Sequence, residues 1–173
     1  MDTLEAIKQR RRIVNFTDRP IEHATMTQIL EAARWAPSGG NLQRWRFIVV
    51  TDAQTKKMIG DVSPGLFGKP AAIVVICMEK RARRSQWNTW IEACEAGISA
   101  QNIMLSAFAQ GIGSCIIVSF AKEGVEAILE LPEGIEPMLL VTLGYYEELP
   151  EPPGRLSLSE IAFEEQYGRR WRP

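Results

Sequence analysis

Arg10, Arg11 and Arg12 stand side by side where an N-terminal helix gives way to an extended segment. A cation at a helix C-terminus complements the helix dipole, a gain of about 0.3–1 kcal/mol at an exposed site. That accounts for one arginine and not for three in a row. Adjacent guanidinium groups repel one another unless an anion sits among them, and the planar donor fork of arginine suits a phosphate. A second set lies in Ala36-Pro37-Ser38-Gly39-Gly40-Asn41-Leu42-Gln43-Arg44-Trp45-Arg46-Phe47. Small residues let backbone amides approach a ligand, and Asn and Gln amides can match the donors and acceptors of a heterocycle. A plain helix-to-strand connection needs one glycine, so Gly39 and Gly40 between Ser38 and Asn41 exceed that need. The loop has neither the Gly-x-Gly-x-x-Gly of a dinucleotide fold nor a Walker pattern, which excludes both of those modes of nucleotide binding.

The scarce residues narrow the chemistry. His23 is the single histidine, next to the turn at Arg19-Pro20 and just ahead of an expected helix start. It has no Cys or carboxylate cluster beside it, so a metal site is not expected. A Ser-His-Asp triad would have to use His23, and no Gly-x-Ser-x-Gly elbow presents a serine. Cys77, Cys94 and Cys115 lack the short paired spacing of zinc sites or redox dithiols and read as small buried hydrophobes. If the chain is an enzyme, a cofactor carries its chemistry.

Elements must position these residues. A first helix is expected over residues 3–10, capped by Asp2, with Leu4 and Ile7 facing inward. A second begins at Thr25, with Gln28 in capping-box spacing and Met26, Ile29, Leu30 and Ala33 at helical intervals, and stops before Pro37. Residues 45–50 read as a strand, followed by a short helix capped by Asp52. Residues 71–78 include four consecutive β-branched residues, Ile73 to Ile76, and should form a central strand buried on both faces. Residues 88–110 are helical yet apolar almost all round, which demands partners on every side, some of them from a second copy of the chain. Strands at 115–118 and 138–145 and a helix at 125–131 complete the pattern. The Pro- and Glu-rich stretch after Tyr146 reads as extended, and the tail with Leu156, Leu158, Ile161 and Phe163 reads as an arm that embraces a neighbour.

The chain has 173 residues, 46% of them apolar and 24% charged, with a net charge of -1 from 20 basic and 21 acidic residues. That fits one globular domain over residues 1–173 and excludes a disordered or fibrous chain. No apolar run approaches the roughly 20 residues of a membrane-crossing helix. The N-terminus has no secretory signal pattern, so a cytoplasmic location is expected. Lys80-Arg81-x-Arg83-Arg84 and Arg169-Arg170-Trp171-Arg172 are two further basic clusters. Near-neutral net charge argues that they are solvated loops and tails, with no nucleic-acid partner.

The arginine run before Phe16, the Ala-Pro-Ser-Gly-Gly-Asn-x-Gln-x-Trp-x-Phe block, Glu95-Ala-Gly-x-x-Ala-Gln-Asn, Gly111-Ile-Gly-Ser and Leu143-Gly-Tyr occur in this order. Together they resemble the FMN-dependent nitroreductase family over nearly the whole chain. The resemblance implies an α+β fold with a mainly antiparallel central sheet flanked by helices. It also implies a C-terminal extension, residues 147–173, that reaches the partner subunit, and a homodimer with FMN at the interface. By the same resemblance Arg10, Arg11, Arg12 and Arg155 would clamp the FMN phosphate. Pro37, Ser38, Gly39 and Asn41 belong to the loop that would lie against the flavin from the partner. The backbone of Ile116, Ile117 and Val118 would pass the isoalloxazine, with an amide near Val118 toward flavin N5.

The chain departs from the family where Arg12 replaces a common serine, where Val14 replaces a frequent basic residue, and where Arg44 replaces the proline of Gln-Pro-Trp. A shortened mid-chain region implies a substrate pocket that is more open or built differently. The expected activity is ping-pong reduction of electron-poor acceptors, nitroaromatics or quinones, by NAD(P)H through FMN, with no indispensable acid or base side chain. The alternative is an FMN-binding or flavin-handling protein without NAD(P)H-driven turnover.

Overall fold

The β-branched core of residues 72–79 forms strand β2 (Ala72–Glu79) at the centre of a four-stranded sheet, flanked by β1 (Trp45–Val50), β4 (Ile135–Gly144) and, beyond β4, β3 (Gly113–Ile117), all pairs antiparallel. The structure, a computed structural model, describes residues 2–80 and 85–171. Successive β2 side chains leave the sheet on opposite sides. Val74, Ile76 and Met78 pack with Met26, Ile29 and Ala33 of helix α2 (His23–Arg34) and with Ala96, Ala100 and Ile103 of α4 (Gln86–Ala109). Ile73, Val75 and Cys77 pack on the other face with Ile59 of α3 (Ala53–Asp61) and Val125 of α5 (Lys122–Ile128). The result is helix, sheet and helix in three layers. Burial pushes the Cys77 thiol up to about 12, with Glu126 adding to the shift, so this cysteine is an inert core residue.

The α+β architecture, the mainly antiparallel sheet and the central, doubly buried β2 match expectation. Asp2 caps α1 (Thr3–Gln9) by accepting from Leu4 N, and Asp52 caps α3 by accepting from Thr55 N. Several boundaries differ from expectation. Helix α2 starts at His23, so the histidine is in the helix, and Glu22 occupies the N-cap position without a side-chain cap bond. Strand β4 starts at Ile135 and contains Pro137, which is tolerated because the register with β2 slips there, between Ile76 and Cys77. Strand β3 starts at Gly113 and ends at Ile117, leaving Val118 just past the last paired residue.

Helix α5 starts at Lys122 rather than Val125. Leu4 and Ile7 do not face inward: both are exposed, and Ala6 is the one buried residue of α1. Cys94 is likewise exposed. The arm carries a short helix, α6 (Leu158–Ile161), and Leu156, Leu158 and Ile161 are all exposed, so it does not pack into its own core. Among the described residues no helix is long and apolar enough to cross a membrane.

Candidate functional site

The segment after α1 is seated on the sheet by backbone bonds and by missing side chains. Ile13 N donates to Ser114 O at 3.0 Å, Thr17 N donates to Tyr145 O at 2.8 Å, and Arg12 bridges Ser114 in parallel register. The contacts at Ser114 cover the start of the outer edge of β3, which would otherwise be open for pairing, and the bond to Tyr145 ties the segment to the end of β4 (Ile135–Gly144). Gly113 and Gly144 face each other across β3 and β4. A Cβ on Gly113 would lie 2.7 Å from Ile13, and one on Gly144 would lie 2.7 Å from Phe16. Glycine is needed at both places for residues 13–16 to lie this close, and the seating carries the arginines to the edge of β3.

Arg11 performs the helix-capping role that a single arginine can satisfy. Its Nη1 donates to the carbonyls of Lys8 at 2.8 Å, Gln9 at 2.6 Å and Arg10 at 3.2 Å. Arg10 and Arg12 are not used in this way. Arg12 Nε donates to Cys115 Sγ at 3.2 Å, and its guanidinium lies 5.5 Å from the Phe67 ring centroid. Arg10 is partly buried, and that burial, followed by the nearby charge of Arg155, lowers its pKa. The Nε atoms of Arg10 and Arg11 are buried without a hydrogen-bond partner. No carboxylate forms an ion pair with Arg10, Arg11, Arg12 or Arg155 among the described residues. A cavity of about 580 Å³ lined by residues 12–18 and 147–150 has Asp18, Glu147 and Glu148 in its wall, none within ion-pair distance of Arg12.

The same edge holds the 116–118 stretch. Ile117 is buried in the core on the same face as Cys115, while Ile116 and Val118 are exposed, so strand alternation turns two of the three side chains to the opposite face of the strand. The structure therefore brings Arg12 to Ser114 and Cys115 of β3, the residues just before Ile116, and sets Arg10 near Arg11, Arg155 and Cys115.

The 37–41 loop lines a different cavity. It contains a 3₁₀ turn at Gly39–Asn41, with Gly40 at φ 61° and Asn41 at φ 55° in left-handed conformation. Ser38 Oγ accepts from Gln43 N at 3.0 Å, and Glu95 Oε1 of α4 accepts from Gly39 N at 2.8 Å. Pro37, Ser38 and Gly39 border an open, apolar cavity of about 780 Å³ with Trp87, Trp90, Ile91, Cys94 and Ile98 of α4. Trp87 and Trp90 are 73% and 64% exposed. None of the four arginines lines this cavity.

Cys115 and Phe67 carried no signal in the sequence beyond a buried cysteine and a loop aromatic. Their contact with Arg12 depends on β3 meeting a loop far away in the chain. Glu95 was visible as part of a motif, without its bond to Gly39. Arg44 Nη1 donates to Lys80 O at 3.4 Å at the end of β2, while its Nε is buried without a partner. In the basic clusters Lys80 pairs with Glu136 at 2.7 Å and Arg169 with Glu165 at 2.8 Å. Arg81, Arg83, Arg84 and Arg172 lie outside the described residues. No group of potential metal ligands occurs among the described residues.

With this geometry in view, the sequence matches the model of the Nitroreductase family over residues 7–67 and 62–145. The chain is similar to an Archaeoglobus fulgidus protein bearing an NADH dehydrogenase/NAD(P)H nitroreductase name, 33% identical over 152 residues that make up 83% of this chain and 85% of the relative. It is also similar to a Vibrio harveyi NADPH-flavin oxidoreductase, 28% identical over 96% of this chain and 75% of the relative. A crystal structure of a nitroreductase family protein from Clostridium difficile superimposes with a TM-score of 0.84 at 26% identity, covering 96% of this chain and 99% of the other.

Proposed function

Because the chain belongs to the nitroreductase family, and with it is an NAD(P)H-dependent oxidoreductase, we propose that it works through FMN and reduces electron-poor acceptors such as nitroaromatics or quinones in a ping-pong cycle. The observation that carries the FMN assignment is the arginine corner. Among the described residues, the buried Nε donors on Arg10 and Arg11 have no acceptor, and no carboxylate pairs with the neighbouring cations. Leaving charged donors buried and unmet is costly, and a phosphate monoester supplies both the missing acceptors and the missing negative charge. The donor set therefore fits the phosphate end of FMN.

In this reading Arg10, Arg12 and Arg155 hold the phosphate, and Arg11 supports them from the end of α1. The backbone of Ile116, Ile117 and Val118 lines the ring, with Ile116 and Val118 shielding it from water. Pro37, Ser38, Gly39 and Asn41 of a second copy close the other side, so the working unit is a homodimer. When bound, FMN supplies a carrier that accepts hydride from NAD(P)H and passes electrons to the acceptor. The protein's part is then binding, orientation and water exclusion, which suits a chain whose only histidine lies exposed in the first turn of α2.

The purified protein should be yellow, with stoichiometric flavin, and should bleach anaerobically on addition of NADH or NADPH. A colourless protein that takes up no added FMN overturns the reading. A bound flavin that neither nicotinamide bleaches replaces it with flavin handling without turnover.

A further inference from the structure

Arg12 is an exposed side chain whose position is nonetheless defined, and the two groups that define it have no other assigned role. An arginine side chain has many rotamers to lose on binding, so a guanidinium fixed in advance binds an anion better than a wandering one. Burial does not fix Arg12. Its one hydrogen bond among the described residues runs from Nε to Cys115 Sγ at 3.2 Å, and the Phe67 ring lies against the guanidinium.

Both anchors are themselves held. Cys115 is 3% exposed in β3, paired with Thr142, whose Oγ1 donates to Cys115 O at 3.2 Å. Phe67 sits in the loop between α3 and β2, next to Gly68, where a Cβ would meet Val14 O at 1.9 Å. That loop therefore leans on the same segment that carries Arg12. Occupying Nε leaves both terminal amino groups of Arg12 without a protein partner among the described residues. Arg11, in contrast, uses its Nη1 on helix carbonyls. A carboxylate at position 115 would also hold the guanidinium, but it would cancel the charge that an anion needs. A thiol, a weak acceptor, orients the group and leaves the charge to the ligand.

We propose that Cys115 and Phe67 are positioning residues that fix the Arg12 guanidinium with its terminal amino groups presented to the FMN phosphate, so that they set the preference for FMN over the phosphate-free riboflavin. The inference rests on the FMN reading above.

The test titrates the full chain, stripped of any flavin, with FMN and separately with riboflavin, following flavin-fluorescence quenching. Cys115→Val keeps the apolar volume and removes the acceptor, and it should weaken FMN by about tenfold while leaving riboflavin affinity unchanged. Cys115→Ser, which restores an acceptor, should recover most of the loss. Phe67→Ala, at a half-exposed ring that folding tolerates, should weaken FMN by about threefold with riboflavin again unchanged. It also serves as the test if the valine variant does not fold.

Equal weakening of FMN and riboflavin means that the thiol and the ring only pack, and it overturns the proposal. Unchanged FMN affinity in both variants overturns it too. If the unaltered chain binds neither flavin, the FMN reading itself fails. If it binds FMN normally and only the variants fail to discriminate, the positioning role alone is lost.

Discussion

The β3 edge and the α4 face next to the 37–41 loop are both unfinished surfaces, but they are unfinished in opposite ways. At the β3 edge, Arg10, Arg12 and Arg155 lack a counter-charge and buried donors lack acceptors among the described residues. At the α4 face, Trp87, Trp90 and Ile98 lie exposed around an open cavity whose wall is almost wholly apolar. A cationic corner is completed by an anion, whereas an apolar face is completed by more apolar surface. In the proposed reading, one chain supplies the grip for the phosphate. In the proposed homodimer a second copy covers the apolar half, and Leu4, Ile7, Leu156, Leu158 and Ile161 are exposed as well.

The largest effect should come from emptying the cationic side. The Arg10→Ala/Arg12→Ala double variant loses charge-assisted bonds of about 1.5–3 kcal/mol each and should weaken FMN on the order of a hundred- to ten-thousandfold in a fluorescence titration. Unchanged affinity would remove the phosphate clamp. Next comes the apolar side. Trp87→Asp/Trp90→Asp should weaken self-association by about 2–4 kcal/mol, the range of interface hot spots, and yield monomers in sedimentation at micromolar concentration. A native chain that already sediments as a monomer there would break the comparison.

The seating of the arginines offers a smaller effect. Gly144→Ala places a methyl 2.7 Å from Phe16 and should destabilise by about 1–3 kcal/mol in a denaturant melt, with FMN affinity falling as the segment shifts. Gly60→Ala in α3 meets nothing within 4 Å and should instead stabilise by about 0.5–1 kcal/mol without touching flavin affinity. A Gly144→Ala variant as stable as Gly60→Ala would show that the segment is not tightly seated.

The smallest effect separates an arginine that has a carboxylate partner from one that has none. Glu31 is lowered from 4.5 to about 2, first by its hydrogen bond from Arg34 and then by that from Trp35. A lowered carboxylate contributes stability above its unfolded value and loses it as pH falls through its folded value. The native chain should therefore lose stability relative to Glu31→Gln between pH 4.5 and about 2, by a small amount because the pair is exposed. Parallel acid melts of the two proteins would show that this pair contributes nothing.

Much of the fold was legible because its signals are local. Asp2 and Asp52 cap the helices they precede, and the run from Ile73 to Ile76 demanded a strand covered on both sides. The missed strand boundaries involve partners distant in sequence. Strand β3 extends to Gly113 because Gly144 faces it, and β4 accommodates Pro137 because β2 slips its register there. The inward placement expected of Leu4 and Ile7 failed because helical spacing shows which residues share a face and not whether that face is covered within one chain.

The sequence by itself determined most of the elements, the order of the motifs and the surplus of arginine, because caps, β-branched runs and charge density act over a few residues. Tertiary structure alone decided which arginine does what. Arg11 turns back onto the helix it ends, and Arg12 meets a thiol 103 residues along the chain. Arg10 is left partly buried and opposed by Arg155. Those assignments depend on where β3, the 62–70 loop and the C-terminal arm come to rest, and no local spacing encodes that.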